Sequence, residues 1–595
     1  MAFQHYILVC GGTGCESNKA DDIYKQLIRE ADDQGVKQDV QVVKTGCFGF
    51  CAQGPIVKIL PEESFYVGVQ PTDAKELVAE HIVKGRPVER LLYKEAESKE
   101  HARVDDISFY QKQFRIVLRN CGFINPEEIS EYIARDGYAA LEKAIFEMSP
   151  EQIVEELKAS GLRGRGGAGF PTWLKWNLTR EQESDQKYVV CNADEGDPGA
   201  YMDRSVLEGD PHTVLEAMAI CGRTIGADKG YIYIRAEYPL AIRRLEKAIE
   251  QAKEMGLLGD KILGSDFSFD VEIRLGAGAF VCGEETALLA SIEGERGMPR
   301  PRPPFPSVKG LWGKPTVINN VETYANIPVV LVRGAEWFSK VGTEKSKGTK
   351  VFALTGKINN SGLVEVPMGT PLRDIIYNIG GGIPDGKAFK AVQTGGPSGG
   401  VITADHLDVP IDYEHLQELG SIMGSGGMIV MDESDCIVDV VKFYLEFTVE
   451  ESCGKCAPCR VGGRKLHNIL TRISKGQGKD EDIDKMLQIG KAMQKASLCG
   501  LGQTAPNPIL STLRFFRAEY DAHIQQGLCP AGKCKDLVHF EIITENCIGC
   551  GLCARRCPVS CISGERRQPH EIDQDRCIKC GECFNACKFD AVLRA

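Results

Sequence analysis

No stretch of this chain approaches the roughly 20 consecutive apolar residues that a membrane helix requires. The opening residues, MAFQHYILVC, have no basic n-region and no small-residue cleavage site, so no secretory signal is expected and a cytoplasmic location is. Positive charge is not in excess either. With 71 Lys and Arg against 83 Asp and Glu, the net charge of −12 speaks against nucleic acid or an anionic membrane as a partner. Hydrophobic content of 43% and charged content of 26% are those of an ordinary globular protein. At 595 residues the chain exceeds what one core can organise, and roughly four or five domains are expected. What it has in quantity is cysteine, 24 residues in all. In a reducing compartment these read as metal or cluster ligands rather than as a disulfide scaffold.

Sixteen of the cysteines fall into four groups of four, the number that holds an iron–sulfur cluster. Cys547, Cys550, Cys553 and Cys557-Pro558 form a C-x2-C-x2-C-x3-C-P run, and Cys577, Cys580, Cys583 and Cys587 repeat its spacing. In two-cluster ferredoxins the fourth cysteine of each run serves the other cluster. One [4Fe–4S] cluster is therefore expected on Cys547, Cys550, Cys553 and Cys587, the other on Cys577, Cys580, Cys583 and Cys557. Cys453, Cys456 and Cys459, with the distant Cys499, suit a third [4Fe–4S] cube. Cys10, Cys15, Cys47 and Cys51 make a further set near the start. Zinc is the alternative occupant of these last two sets. Cys529 and Cys534 have no cluster partners left; with Cys561 and either His570 or His539 they would complete a tetrahedral zinc site, the alternative being buried structural thiols. Most of the remaining cysteines, Cys436 among them, are expected as small buried hydrophobes.

Periodicity divides the chain further. Residues 1–93 read as a small α/β domain, and the charged stretch YKEAESKEHARVDD as a linker. Residues 94–335 comprise that linker and a glycine-rich α/β region with short buried strands such as KYVV and YIYIRA. Residues 336–440 are strand-rich, 441–525 helical, and 526–595 carry the duplicated cysteine run. The run Gly164-Arg165-Gly166-Gly167-Ala168-Gly169 lets backbone N–H groups approach a phosphate, though alone it is equally a plain glycine turn. Lys175 lies one to two turns downstream, and Asn192-Ala193-Asp194-Glu195 follows a strand, where open α/β sheets bind ligands.

The motifs RGRGGAGFPT (163–172), CNADEGDPGAYMDR (191–204), GAGAFVCGEETAL (276–288), PRPPFP (301–306), INNVET (318–323) and ESCGKCAPCR (451–460) resemble the NADH-oxidising flavoprotein subunit of respiratory complex I and its soluble relatives. The resemblance covers residues of about 105–525. It implies a Rossmann-like FMN/NAD(H) domain, a β-grasp domain at 336–440 and a helical bundle holding a [4Fe–4S] cluster. It implies FMN contacts from Gly164, Arg165, Gly166, Gly167, Lys175, Asn192, Asp194, Glu195, Gly283, Glu284, Glu285, Asn319, Asn320 and Thr323. Nucleotide contacts would come from Phe170, Lys175, Glu195, Asp197, Phe280, Arg302 and Phe305. For the acidic members a helix-capping or surface role is the alternative. Four positions depart from the family's habit: Phe280 replaces Tyr, Arg302 replaces Lys, Asp197 replaces Glu and Trp173 stands where Gly is common. A carboxylate at Asp197 favours NAD over NADP. The first 93 residues, with GCFGFC, resemble the thioredoxin-like [2Fe–2S] domain of complex I's smaller flavoprotein partner.

A chain fused at both ends in this way is similar to the FMN-bearing subunit of soluble, electron-bifurcating [FeFe]-hydrogenases and related transhydrogenases. The fold expected is multidomain α/β: thioredoxin-like, Rossmann-like, β-grasp, helical-bundle and two-cluster ferredoxin domains. The resemblance implies FMN, NAD(H), one [2Fe–2S] and three [4Fe–4S] clusters. It implies hydride exchange at the flavin with no catalytic side chain beyond it, Glu195 standing nearby. Partners would be a hydrogenase- or dehydrogenase-type subunit, a small [2Fe–2S] thioredoxin-like subunit and ferredoxin as carrier. The alternatives are a diaphorase subunit of an NAD(P)-dependent formate dehydrogenase or non-bifurcating hydrogenase, and a non-enzymatic electron-transfer subunit with a vestigial flavin pocket. The intact glycine and NADE motifs disfavour the last.

Overall fold

The computed structural model describes residues 3–94 and 107–594, so residues 95–106 of the expected linker lie outside the described residues. The architecture is multidomain α/β and separates into two units, Met1–Lys387 with Ala391–Val430, and Ala388–Lys390 with Met431–Ala595.

In the first unit, β1 (His5–Cys10), β2 (Val40–Thr45), β3 (Val57–Leu60) and β4 (Ser64–Tyr66) form a sheet of order β2-β1-β3-β4. Helix α1 (Ala20–Asp33) packs on it and buries Ile23, Leu27 and Ala31 at helical spacing. β1 pairs in parallel with β2 and Cys10 lies opposite Thr45. The loops that follow both strands, and carry the first cysteine set, therefore leave the sheet at the same end.

A second sheet is wholly parallel, as its continuous apolar runs suggest. Its strands are β5 (Tyr188–Ala193), β6 (Lys229–Arg235), β7 (Asp270–Gly276) and β8 (Thr316–Asn320), in the order β7-β6-β5-β8. Register places Asn192 of β5 opposite Asn320 of β8, so two polar side chains meet at the carboxyl edge. The glycine loop runs between α2 (Pro150–Ser160) and α3 (Thr172–Arg180). Helix α2 opens with a Ser149/Gln152 capping box and stops at Gly161 in the left-handed conformation. Next come α4 (Met202–Gly209) and the almost wholly buried α5 (Pro211–Ile225), then α6 (Glu285–Ile292) and α7 (Val321–Arg333).

The strand-rich region forms a mixed sheet of order β10-β9-β13-β11-β12, from β9 (Thr349–Gly356), β10 (Gly362–Pro367), β11 (Phe389–Thr394), β12 (Val401–Thr403) and β13 (Gly427–Asp432). Its β9 is joined to α7 by a buried ion pair: the Lys350 and Glu322 side chains are 0% and 1% exposed. Lys350 Nζ also donates to the carbonyls of Ser425 at 2.6 Å and Val351 at 2.8 Å, and Val351 N–H donates to Glu322 Oε1 at 2.9 Å.

The second unit begins with α8 (Ile437–Glu450), α9 (Gly463–Ser474), α10 (Glu481–Ala496) and α11 (Asn507–Phe515). The run NPILSTLRFFRAEYDAHI reads as one helix, but Phe516 leaves helical geometry (φ −126°, ψ 32°) and a short helix restarts at Arg517. Beyond it, β14 (Phe540–Ile542) pairs with β17 (Val592–Arg594), and β15 (Ile562–Ser563) with β16 (Glu571–Ile572), around a small core that includes Cys553 and Cys583.

Removing one member of a buried ion pair strands the other charge, at about 3–5 kcal/mol. Lys350→Met is expected to lower the stability of the first unit by that amount, read from urea unfolding followed by circular dichroism. Lys350→Met combined with Glu322→Gln, which keeps the acceptor for Val351 N–H, should recover part of it.

Candidate functional site

The glycine loop meets the carboxyl edge of the parallel sheet. A Cβ on Gly166 would lie 3.2 Å from Asn320 Cβ, and Gly167 and Gly169 have φ of 122° and 62°, so only glycine suits the turn. Lys175, on α3, donates to the carbonyl of Ile318 at 2.9 Å and lies 3.6 Å from Glu285. Glu285 also takes Arg302 Nη1 at 2.6 Å, and Arg302 stands over the ring of Phe305 at 5.9 Å. Phe170 and Phe305 are exposed, and the Lys175 ammonium lies 6.0 Å from the Phe170 ring centre. Phe280 lines the same region, its ring edge within 3.0 Å of where a Cβ on Gly196 would sit.

Several residues expected as ligands are engaged with the backbone. Glu284 caps α6, accepting from the N–H groups of Thr286 and Ala287 at 2.9 Å each. Asn320 caps α7 through Oδ1, and its Nδ2 donates to Asp203. Thr323 Oγ1 accepts from Arg165 N–H at 2.8 Å. Arg165 is fully buried, with its guanidinium on the carbonyls of Arg163, Lys347 and Thr349 at 2.8, 2.6 and 3.0 Å. Its side chain therefore braces the glycine loop against β9. Asn192 Nδ2 donates to the carbonyl of Gly283, and its Oδ1 accepts from Asp194 N–H. Buried Asn319 Oδ1 has no hydrogen-bond partner among the described residues. An orphaned acceptor beside glycines that admit close approach, with Lys175 at hand, fits a flavin phosphate and ring system.

Two carboxyls here are perturbed. Glu195 accepts from the N–H groups of Asp203 and Arg204 at 3.1 Å each, and burial pushes its carboxyl up to about 7. Burial likewise raises Asp197 to about 6, against the Ser425 hydroxyl that donates to it at 2.5 Å. Asp203 and Ser425 were not foreseen. Asp203 lies inside a quoted motif, whereas Ser425 sits in the strand-rich region, where no pattern marks it.

The cysteines gather as their spacing suggests. Cys10 contacts Cys15 and Cys47, and Cys47 contacts Cys51. Gly12 and Gly54 fit closely around them: a Cβ on either would fall 2.8 Å from Cys47 Cβ or 2.9 Å from Cys15 Sγ. In the second unit, Cys459 neighbours Cys453 and Cys456, and the turn after Cys499 packs on the same segment, with a Cβ on Gly502 only 2.9 Å from Cys459 Cβ. One cavity is lined by Cys547, Cys550, Cys553 and Cys587, another by Cys557, Cys577, Cys580 and Cys583.

The zinc expectation needs correction. Cys561 lines the second of those cavities, with its Sγ 3.4 Å from that of Cys557, and His570 lines the first. Neither approaches Cys529 and Cys534. His539 is placed instead 3.4 Å from Glu541. The thiols of Cys529 and Cys534 converge with Cys436 and His523, all four buried, in a group able to hold a metal ion. Cys436 Sγ lies 3.7 Å from Cys534 Sγ and 3.4 Å from His523 Nε2, which lies 3.4 Å from Cys534 Sγ. His523 Nδ1 faces the carbonyl of Glu519 at 2.7 Å, leaving Nε2 for the thiol cluster.

Family models match along the chain. They are the thioredoxin-like [2Fe–2S] ferredoxin at residues 2–81, the Nuo51 FMN-binding domain at 157–329, the SLBB domain at 351–402, the NADH-ubiquinone oxidoreductase-F iron–sulfur binding region at 439–523 and the 4Fe–4S dicluster domain at 546–591. The NADP-reducing hydrogenase subunit HndC of Solidesulfovibrio fructosivorans is 60% identical over 484 residues, 81% of this chain and 98% of that one. An NADH-quinone oxidoreductase subunit of Rhizobium meliloti is 46% identical, over 70% of this chain and 99% of its own. An NAD+-reducing [NiFe]-hydrogenase in the H2-reduced state superposes with a TM-score of 0.62 at 30% identity, covering 88% of this chain and 85% of that one.

A carboxyl raised on folding holds its proton to higher pH in the folded chain than in the unfolded one. For Glu195, this stability is complete below about 4.5 and is lost as pH rises to about 7. Glu195→Gln is expected to flatten the fall in thermal midpoint across that window. An unchanged pH profile would mean that Glu195 is not the buried carboxyl responsible.

Proposed function

The chain belongs to the family of NADH-binding flavoproteins of respiratory complex I and soluble NAD(P)-linked hydrogenases, and on that premise we propose that it is the flavin-bearing subunit of an electron-bifurcating complex. As a family member it is an NADH dehydrogenase-type oxidoreductase subunit with FMN-binding, [2Fe–2S] and [4Fe–4S] domains. The observation that carries the functional reading is the glycine loop seated on the Asn192/Asn320 edge, in a chain with four converging cysteine sets. FMN, when bound, supplies hydride exchange with a nicotinamide and release of electrons one at a time. The chain's own residues bind and orient. Gly164, Gly166 and Gly167 leave room for close backbone approach, Lys175 brings positive charge, and Phe170, Phe280 and Phe305 offer apolar faces to a nucleotide. Asp197, held by Ser425, would accept from an adenosine ribose and repel a 2′-phosphate.

The reading assigns one [2Fe–2S] cluster to Cys10, Cys15, Cys47 and Cys51, and three [4Fe–4S] clusters to the other sets. Cluster groups in both units support more than one exit for electrons, one of them toward ferredoxin. A hydrogenase- or dehydrogenase-type partner would perform the hydrogen or formate chemistry. Cysteines used as cluster ligands rather than in disulfides suit a reducing cytoplasm. The second reading, a non-bifurcating diaphorase subunit, is favoured by the resemblance to NADP-reducing and NAD+-reducing hydrogenases.

Zinc is proposed on Cys436, His523, Cys529 and Cys534. Tetrahedral bonds of about 2.3 Å to sulfur and about 2.0 Å to nitrogen set sulfur–sulfur edges near ~3.8 Å and sulfur–nitrogen edges near ~3.5 Å. The 3.7 and 3.4 Å separations match these edges.

The isolated chain should reduce dyes with NADH, and failure with FMN bound would sink the oxidoreductase reading. Purified complex should reduce ferredoxin only when both electron donors are supplied; equal reduction by NADH alone would favour the diaphorase alternative. Elemental analysis should find one zinc per chain, lost in Cys436→Ala and His523→Ala and kept in Cys561→Ala. Retention in the first two variants would refute the assignment.

A further inference from the structure

The N-terminal module and the flavin-binding module of the first unit meet along the short helix α4. Its first turn lies under the carboxylate of Glu195, which accepts from Asp203 and Arg204 N–H at 3.1 Å each. At its far end, a Cβ on Gly46 would come within 2.3 Å of Gly209 Cα, so the two backbones touch. Glu208, 1% exposed, accepts from Thr13 N–H at 3.0 Å and from the Thr13 hydroxyl. Thr13 and Gly46 belong to the two loops that carry Cys10, Cys15, Cys47 and Cys51. Immediately before α4, Tyr201 places its hydroxyl 3.6 Å from Sγ of Cys51, a donor-to-sulfur distance suited to a large, soft acceptor. The Arg204 guanidinium stands over both Tyr201 and Tyr238, at 5.6 and 5.4 Å, and Tyr238 donates to the carbonyl of Glu195 at 2.6 Å. Tyr201 is thus held in the same block of structure as Glu195, a residue expected to contact the flavin and nucleotide.

We propose that Tyr201 is a positioning residue for the N-terminal cluster: its hydroxyl donates a hydrogen bond to the Cys51 sulfur and sets that cluster's reduction potential from the flavin side of the chain. The inference rests on the [2Fe–2S] assignment of the N-terminal cysteines. A hydrogen bond to a ligating sulfur withdraws electron density and favours the more negative, reduced cluster, so it raises the potential. Cys51 is the exposed one of the four cysteines, the other three being buried, so its sulfur is the one a donor outside the two cysteine loops can reach. Tyr201 reaches the cluster through this ligand, and its ring leaves the cradle formed around Gly12 and Gly54 undisturbed.

The test is an EPR-monitored redox titration of the full-length protein. Tyr201→Phe keeps the ring and removes the donor. The midpoint of the [2Fe–2S] signal is expected to fall, with FMN content and the [4Fe–4S] midpoints unchanged. Placing 3-fluorotyrosine at position 201, a more acidic phenol and stronger donor, should raise it instead. The second measurement decides the matter should the Phe variant lose its cluster. An unchanged [2Fe–2S] midpoint in a cluster-loaded protein overturns the role of Tyr201 alone. Absence of any [2Fe–2S] signal from the unaltered protein overturns the cluster assignment and the inference together.

Discussion

The first unit depends on one buried charge being answered. Glu322 enters the protein at the first turn of α7, where no water reaches it, and Lys350 answers it from β9. Buried ions are tolerated only when paired and fully hydrogen-bonded, so the pair dictates that this strand and this helix stay in contact. The same helix is capped by Asn320, and its Thr323 holds the backbone of Arg165. Arg165 in turn reaches three carbonyls, two of them in or beside β9. The glycine loop is therefore braced from both sides, and the strand-rich domain is part of the flavin pocket's foundation. Ser425 extends that role by holding Asp197.

The elements that place the cysteines are equally economical. Parallel pairing of β1 and β2 takes two ligand loops to the same end of a sheet. In the duplicated run, each cavity takes three cysteines of one run and the fourth of the other, with Cys561 added at the second. Exposed Ile548, Ile578, Phe584 and Phe589 flank these cysteines, so the two cavities lie beneath an apolar surface.

Much of this was legible in the sequence, and the limits have physical causes. Strands such as KYVV are buried on both faces and announce themselves as apolar runs. Cysteine spacing is local, so four-ligand sets survive being read in one dimension. The metal group around His523 does not, because Cys436 and Cys534 stand 98 residues apart and only the fold joins them. Cys561 and His570 misled because they sit near cysteines in sequence yet line the cluster cavities instead. Glu284 and Asn320 show a related ambiguity. A carboxylate or amide before a helix satisfies orphan N–H groups whether or not a ligand is present. Motif membership does not separate those roles; hydrogen bonds do.

The touching backbones at Gly46 and Gly209 bear on how a chain of this kind is put together. Contact that close is shape-matched to within a methyl group, so the interface itself specifies how the N-terminal module is seated on the flavin module. The peptide connection need only keep the two at high effective concentration. A module docked in this manner is interchangeable, in principle, with a separate subunit presenting the same face. Fusion and subunit assembly then become two routes to one geometry, with a pair of glycines as the condition common to both.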